Sequence, residues 1–391
     1  MIRTALLHRH VEKHGASVST SPDRVVFTGD FLRLNAAGTR PTQHQNIRWL
    51  RNILSTPIAM ATGCNSSVFC WNSGAVRDGL LGDADINRFY GSFGLPRSIH
   101  SWARIHGIDT LPRRMESMLR DVFRGSLVVG FEMAPYLSTF LTREGIPFVN
   151  VSLHPVRFLD DLLLGFASNH PAIQEAIFGH RLDDASIRLI AGLQKASAAR
   201  GFNASVAPDS ALFLMQTWYD QSQLRDGRFV SPTDFLDEII SCAAEHEEFL
   251  VKEHPLEPHP AISTMAALIP NMRLVKDNVY SMLALPEIRT VATLSSSVGL
   301  EAEYFDKQSR FFLREPLKLR REAEDDRDGY VAIRDAFLMP DFWRKILAPV
   351  MPVSQPDGIT VPFKPNRLRI AIRGFWGFNE IDTDIPVRMA K

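Results

Sequence analysis

The chain has 391 residues, 45% hydrophobic and 23% charged, with 44 lysines plus arginines against 44 aspartates plus glutamates. This is the composition of a globular protein with two domains of roughly 150–200 residues, and zero net charge gives no support to a general nucleic-acid binder. Three cysteines exclude a disulfide scaffold, and no apolar run reaches the ~20 residues of a membrane helix.

The amino-terminal run Met1-Ile2-Arg3-Thr4-Ala5-Leu6-Leu7 breaks at His8-Arg9-His10, unlike a signal peptide, so a cytoplasmic protein is expected. Peripheral association with the inner face of the membrane is compatible with this. Residues 24–28, 126–131 and 147–152 read as buried strands, with a crossover helix at 133–142. Residues 30–125, rich in proline, glycine, asparagine and aromatic residues, read as loops that shape a cleft. Residues 183–200 read as a long helix linking two halves, with a hinge at 201–209. The carboxyl half then alternates: strands at 211–216, 248–252, 273–276, 289–294 and 310–313, helices at 233–245, 260–267, 279–285 and 297–305. That rhythm predicts a doubly wound parallel sheet. The tail 367–376 alternates like an edge strand that crosses back to the first domain. The expected division is an amino-terminal domain at 1–205, a Rossmann-like domain at 206–365 and a tail at 366–391, an α/β protein throughout.

Chemistry-bearing residues cluster where these strands end. Ser295-Ser296-Ser297-Val298-Gly299 lies where a strand turns into a helix, which points hydroxyls and backbone N–H groups at one spot suited to a phosphate. His254, after the strand at 248–252 and within Lys252-Glu253-His254-Pro255, can donate to the same anion. Asp220 closes Gln216-Thr217-Trp218-Tyr219-Asp220 at another strand end, where ligands of open α/β sheets gather; the alternative is a turn or helix cap. Glu132 follows Leu127-Val128-Val129-Gly130-Phe131, and either faces the cleft or favours a helix dipole. If the halves face each other, Glu132 and Asp220 flank one bond, as glycosyl chemistry requires. Arg157 can pair with an acidic substrate group, held by Asp160 or Asp161. Asp83-Ala84-Asp85 and Asp382-Thr383-Asp384 are chance copies of a metal-binding pattern, since neither ends a clear strand. Arg314, Lys318, Arg320 and Arg321 read as a solvated helix face. Trp71, Tyr90, Phe93 and Trp102 suit core packing more than an acceptor groove.

With these residues laid out, the chain resembles the bacterial retaining β-Kdo transferases of O-antigen and capsule assembly, and more distantly other CMP-sugar transferases of GT-B fold. The resemblance lies in Gly130-Phe131-Glu132, 216–220, 252–255 and 295–301, between residues 125 and 315. It implies two Rossmann-like domains facing a cleft, a CMP-β-Kdo donor bound by the carboxyl-terminal domain, and a saccharide or lipid-linked saccharide acceptor. It implies no metal, no other cofactor and no nucleic-acid partner, and leaves room for other glycosyltransferase modules as partners. By it, His254 and the hydroxyls of Ser296 and Ser297 contact the CMP phosphate, with Ser295, Gln216, Lys252 and Arg157 also in the substrate site. Glu301 would reach the ribose or cytosine. Asp220 would be the nucleophile and Glu132 the acid/base, with Glu144 as the alternative second carboxylate. Relatives often have Gln-Pro or Gln-Val where this chain has Gln216-Thr217. The competing readings are an inverting CMP-sialic-acid-type transferase with Asp220 as general base, a non-catalytic polysaccharide-assembly partner and a sugar-nucleotide epimerase.

Overall fold

Fully buried runs decide the architecture. Every residue of Ser126–Phe131, Phe148–Leu153 and Ser210–Leu214 is buried, as in strands covered on both faces. The computed structural model, which describes residues 21–72, 80–201, 205–254 and 257–372, arranges such strands into two main sheets of a mixed α/β fold. The amino-terminal sheet has the order Val331–Ile333, Leu164–Ser168, Phe148–Leu153, Ser126–Phe131, Arg24–Gly29, Ser66–Val68. Its last four strands are parallel and its first two pair antiparallel. The carboxyl-terminal sheet is parallel throughout, in the order Met272–Val275, Glu248–Lys252, Ser210–Leu214, Ile288–Thr293, Gln308–Phe311. Numbered along the chain this is 3-2-1-4-5, a doubly wound order whose direction reverses beside Ser210–Leu214. Apolar cores lie on both faces of each sheet.

Four expectations need correction. Residues 30–125 are largely helical: His44–Thr62, Asp83–Ser92, Ile99–His106 and Arg113–Phe123. The first of these buries Ile47, Leu50, Leu54, Ile58 and Ala61, a helical spacing that continues past Pro57. Packing along that stripe prevails over the local cost of the proline. Arg367–Ile372 is a helix rather than an edge strand, because the Asp161 carboxylate accepts the N–H groups of Leu368 and Arg369 at its start. The rest of the expected strand, 373–376, lies outside the described residues, as does Asp382-Thr383-Asp384. The chain returns to the amino-terminal sheet at Val331–Ile333, ahead of the expected boundary at 366. The following helix Pro340–Leu347 buries Phe342, Trp343, Ile346 and Leu347 in that sheet's core. Finally, the linking helix Asp184–Gly201 sends Ile187 and Ala191 into the core of the carboxyl-terminal sheet, beside Leu212 and Val291. Among the described residues no helix is long and apolar enough to cross a membrane.

Candidate active site

The carboxyl ends of three amino-terminal strands carry charged groups. Arg24–Gly29 runs into Asp30, which is fully buried and accepts from the Trp102 indole N–H at 2.8 Å and the Tyr136 hydroxyl at 3.1 Å. Burial pushes its carboxyl up to about 6 against those bonds and the Arg33 charge. Arg33 lies over the Trp102 ring and donates through Nη1 to Gln221 Oε1 at 2.9 Å. Ser126–Phe131 runs into Glu132, held at φ 45° with its N–H on Val151 O at 2.8 Å. A non-glycine residue at positive φ persists where its surroundings fix it, a feature that concentrates at functional sites. Burial raises the Glu132 pKa; Arg33, Arg157 and a backbone N–H lower it, and Asp220 raises it further. Phe148–Leu153 runs into His154, whose Nδ1 accepts the Val156 N–H at 3.1 Å and shapes the turn to Arg157.

The carboxyl-terminal strands end on a hydrogen-bonded network. Asp220 Oδ1 accepts from the Ser222 N–H at 2.9 Å and the Ser222 hydroxyl at 2.8 Å. The Ser222 hydroxyl in turn lies 2.8 Å from Gln216 Nε2 and 2.9 Å from Ser295 Oγ, while Gln216 Oε1 accepts the Ser295 N–H at 3.1 Å. Asp220 therefore caps the 3-10 turn Gln221–Gln223 and stands at the strand end. Half-buried His254 follows Glu248–Lys252, and burial lowers its pKa against the pull of Asp220. Ser296 caps the helix Ser297–Ala302, and both Ser296 and Ser297 are partly exposed.

Direct contacts join these two edges. Besides Arg33 on Gln221, the Arg157 N–H donates to Glu301 Oε1 at 2.6 Å. Trp218 stacks on His100 at 5.9 Å and packs against the amino-terminal core. Across the junction, Arg157 feels the charges of Glu301, Glu132 and Asp220, and Glu132 feels that of Asp220. One locus therefore holds two carboxylates that follow strands of different sheets, an arginine whose charge acts on Glu132, and a histidine that burial disfavours as a cation.

Of the sequence-predicted residues, Asp220, Glu132, Arg157 and His254 converge, and Ser296 and Ser297 sit at a neighbouring strand end. Others have different duties. Ser295 is fully buried in the Gln216–Ser222 network, and Gln216 is spent on that network rather than on a ligand. Lys252 is buried and donates to the carbonyls of Lys276 and Asp277, tying down the end of the adjacent strand. Glu301 is fully buried, its Oε1 taken by Arg157 N–H and the Tyr280 hydroxyl, so it does not face a nucleotide. Glu144 ends the helix Pro135–Arg143 in a two-bond pair with Arg120, away from the strand end. Asp160 pairs with Arg334 and Asp161 caps the helix Arg367–Ile372; neither holds Arg157.

Asp83 accepts from Trp71 Nε1, and Asp85 from the Gly82 N–H, as in an ordinary helix start. Trp71, Tyr90 and Trp102 are core residues. Arg320 and Arg321 pair with Glu175 and Glu303, Lys318 with Asp326, and Arg314 donates to Leu224 O, in an irregular segment rather than a helix. Asp30, Arg33, Ser222 and Tyr280 escaped the sequence reading. Asp30 had a usable signal, since it follows an apolar strand as Glu132 does; the others are placed by contacts remote in sequence. A cleft under residues 363–368 and one beside His154 and Arg321 are lined by neither Glu132 nor Asp220.

No family model and no curated protein matches the chain. Among solved structures, it is similar to KpsC of Thermosulfurimonas dismutans, a β-Kdo 2,7-transferase, at 11% identity over 58% of this chain and 88% of that one, with a TM-score of 0.34. It is similar to UDP-GlcNAc 2-epimerase of Neisseria meningitidis at 10% identity over 72% and 80%, TM-score 0.22. It is also similar to a dipicolinate synthase polypeptide of Bacillus halodurans at 12% identity over 85% and 97%, TM-score 0.18. Likenesses this loose place the chain in no family.

Proposed function

We propose that the chain is a metal-independent glycosyltransferase of GT-B-like layout that moves Kdo from CMP-β-Kdo to a saccharide acceptor with retention. One observation carries this reading: Glu132 and Asp220 each follow a central strand of a different sheet, and the charge of Asp220 reaches the buried Glu132. In this reading the two domains are the amino-terminal sheet with its returning segment from residue 331 and the carboxyl-terminal sheet.

Asp220 attacks the anomeric carbon, and the C–O bond to CMP breaks with its electron pair leaving on the phosphate. Ser222 holds Oδ1, which fixes the direction of the other carboxylate oxygen. His254 and the hydroxyls of Ser296 and Ser297 supply donors to the leaving phosphate. An acceptor hydroxyl then attacks the Kdo–aspartate ester, gives its proton to Glu132 and releases the Asp220 carboxylate. The upward shift of Glu132 suits this task, because a base acts best with a pKa near the working pH.

Intact-protein mass spectrometry after mixing with CMP-Kdo generated in place tests the proposal. The wild type is expected to gain the mass of one Kdo on the peptide containing Asp220, and Asp220→Asn is expected to gain none. CMP release without an adduct in the wild type would move the reading to an inverting transferase with Asp220 as base. Neither adduct nor CMP binding would sink it.

A further inference from the structure

Arg157 is held by its backbone on both sides. Its N–H donates to Glu301 Oε1 at 2.6 Å, and its carbonyl accepts from Arg369 Nη2 at 2.6 Å. The two clamping residues lie 144 and 212 positions away, and neither is more than 1% exposed. Arg369 also donates through Nη1 to Leu159 O at 2.8 Å, while Asp161 of the same loop caps the helix that carries Arg369. The Tyr280 hydroxyl fixes the Glu301 oxygen at 3.0 Å. All this machinery is spent on the peptide of Arg157. Among the described residues, its guanidinium Nε and Nη1 are buried without a hydrogen-bond partner. A buried donor without an acceptor is costly, and native proteins rarely leave two on one side chain unless a ligand completes them.

The missing acceptor is an anion, and its position narrows its identity. The phosphate donors proposed above stand on the carboxyl-terminal strands, whereas Arg157 stands on the amino-terminal side within the fields of both Glu132 and Asp220. In a 2-keto sugar acid the carboxylate is bonded to the anomeric carbon itself. A nucleophilic carboxylate approaching that carbon meets a like charge one bond away, and a cation there relieves the repulsion. We propose that Arg157 binds the carboxylate of the donor sugar, and that Glu301 and Arg369 are positioning residues that aim it. This rests on the reading of the site as a nucleotide-sugar transferase, and it makes Arg157 the selector for sugar-acid donors over aldose donors.

The test measures CMP affinity by calorimetry and CMP-Kdo turnover, by hydrolysis or transfer, on the same preparations. Arg157→Met is expected to keep CMP affinity within about twofold and to lower kcat/KM for CMP-Kdo on the order of 100-fold. Arg157→Lys, which keeps charge but not the planar fork, is expected to fall between. Arg369→Met is expected to lower kcat with CMP affinity kept, and Arg369→Lys to restore part of it. A kcat/KM for Arg157→Met within about threefold of the wild type overturns the assignment and leaves the transferase reading standing. A wild type that binds neither CMP nor CMP-Kdo overturns both. Should Arg157→Met lose CMP binding through misfolding, Arg157→Lys decides: reduced donor turnover with CMP affinity kept supports the carboxylate role, and full turnover overturns it.

Discussion

Asp220 caps the turn Gln221–Gln223, and the nucleophile role proposed for it is compatible with this because the two duties draw on different oxygens of one carboxylate. Its Oδ1 receives both Ser222 bonds. Ser222 is the residue that makes this work, because its hydroxyl also meets Gln216 Nε2 and Ser295 Oγ. Ser222→Ala deletes one of the two bonds that orient Asp220 and leaves the buried Gln216 amide without that acceptor. The expected cost is about 1–2 kcal/mol of stability. The rate of CMP release at saturating donor should fall roughly 10–100-fold, because orientation rather than binding is lost. Measured kcat and KM would show the first reduced and the second little changed. A variant with wild-type kcat would mean that Ser222 serves only the turn. The same network explains why Gln216 and Ser295 read as ligand groups from sequence: polar residues at strand ends look alike whether they meet a substrate or each other.

At the scale of elements, the carboxyl half was legible because each strand is a short apolar run set between helical segments, and Glu248–Lys252 and Ser126–Phe131 match the expected bounds residue for residue. The positions of Glu132 and His254 just past strand ends, and of Asp220 in the loop after Ser210–Leu214, were legible for the same reason. Residues 30–125 were not, since several prolines and glycines there mark helix ends, and Pro57 and Gly91 lie within helices. The bond from Arg33 to Gln221 spans 188 positions, and no local pattern reports it.

The strand ends must also sit at a fixed separation, and Gly29 enforces it. Gly29 pairs with Phe131, and a Cβ there would lie 2.5 Å from the Phe131 carbonyl oxygen and 3.0 Å from the Ile47 side chain. Backbone cannot yield as a flexible side chain does, so Gly29→Ala forces apart the ends that carry Asp30 and Glu132. The expected loss is about 2–3 kcal/mol, read by urea unfolding. Gly91→Ala is the contrasting control: it lies inside the helix Asp83–Ser92 with nothing within 4 Å of the added carbon. It should stabilise by about 0.5–1 kcal/mol. Equal effects of the two changes would contradict the close approach at Gly29.

Across the whole molecule, the same burial that builds the site sets how stability responds to pH. Asp30 beside the amino-terminal sheet is pushed up to about 6, and Glu301 at the junction of the halves up to about 7, both mainly by burial. A carboxyl whose folded pKa lies above its unfolded value binds more protons in the native state between those two values. Stability therefore falls as pH rises through that window and levels off above the folded pKa. The surface acids paired with arginine or lysine, such as Glu248 and Asp306, are shifted down and act oppositely, losing their contribution only as pH falls below the ordinary carboxylate range. Buried histidines oppose this slope up to their ordinary pKa of about 6.5, because burial lowers His106 and His154 and the unfolded chain then binds more protons, so the share of one carboxyl is read only as a difference from a variant that lacks it. Glu301→Gln isolates its share, because any cost of the new buried amide N–H groups is the same at every pH and drops out when the two profiles are compared. Its Oε1 can keep the Arg157 N–H and Tyr280 bonds, and its Oε2 has no partner to lose. Thermal or urea unfolding across that range should show the wild type losing on the order of 2 kcal/mol more than the variant as pH rises. Parallel profiles would mean that Glu301 already ionises at its ordinary pKa in the folded protein, and that Arg157 and its neighbours neutralise it fully. Because Glu301 joins the Arg157 loop to the carboxyl-terminal sheet, the pH at which the difference between wild type and Glu301→Gln levels off marks where this contact between the halves becomes charged.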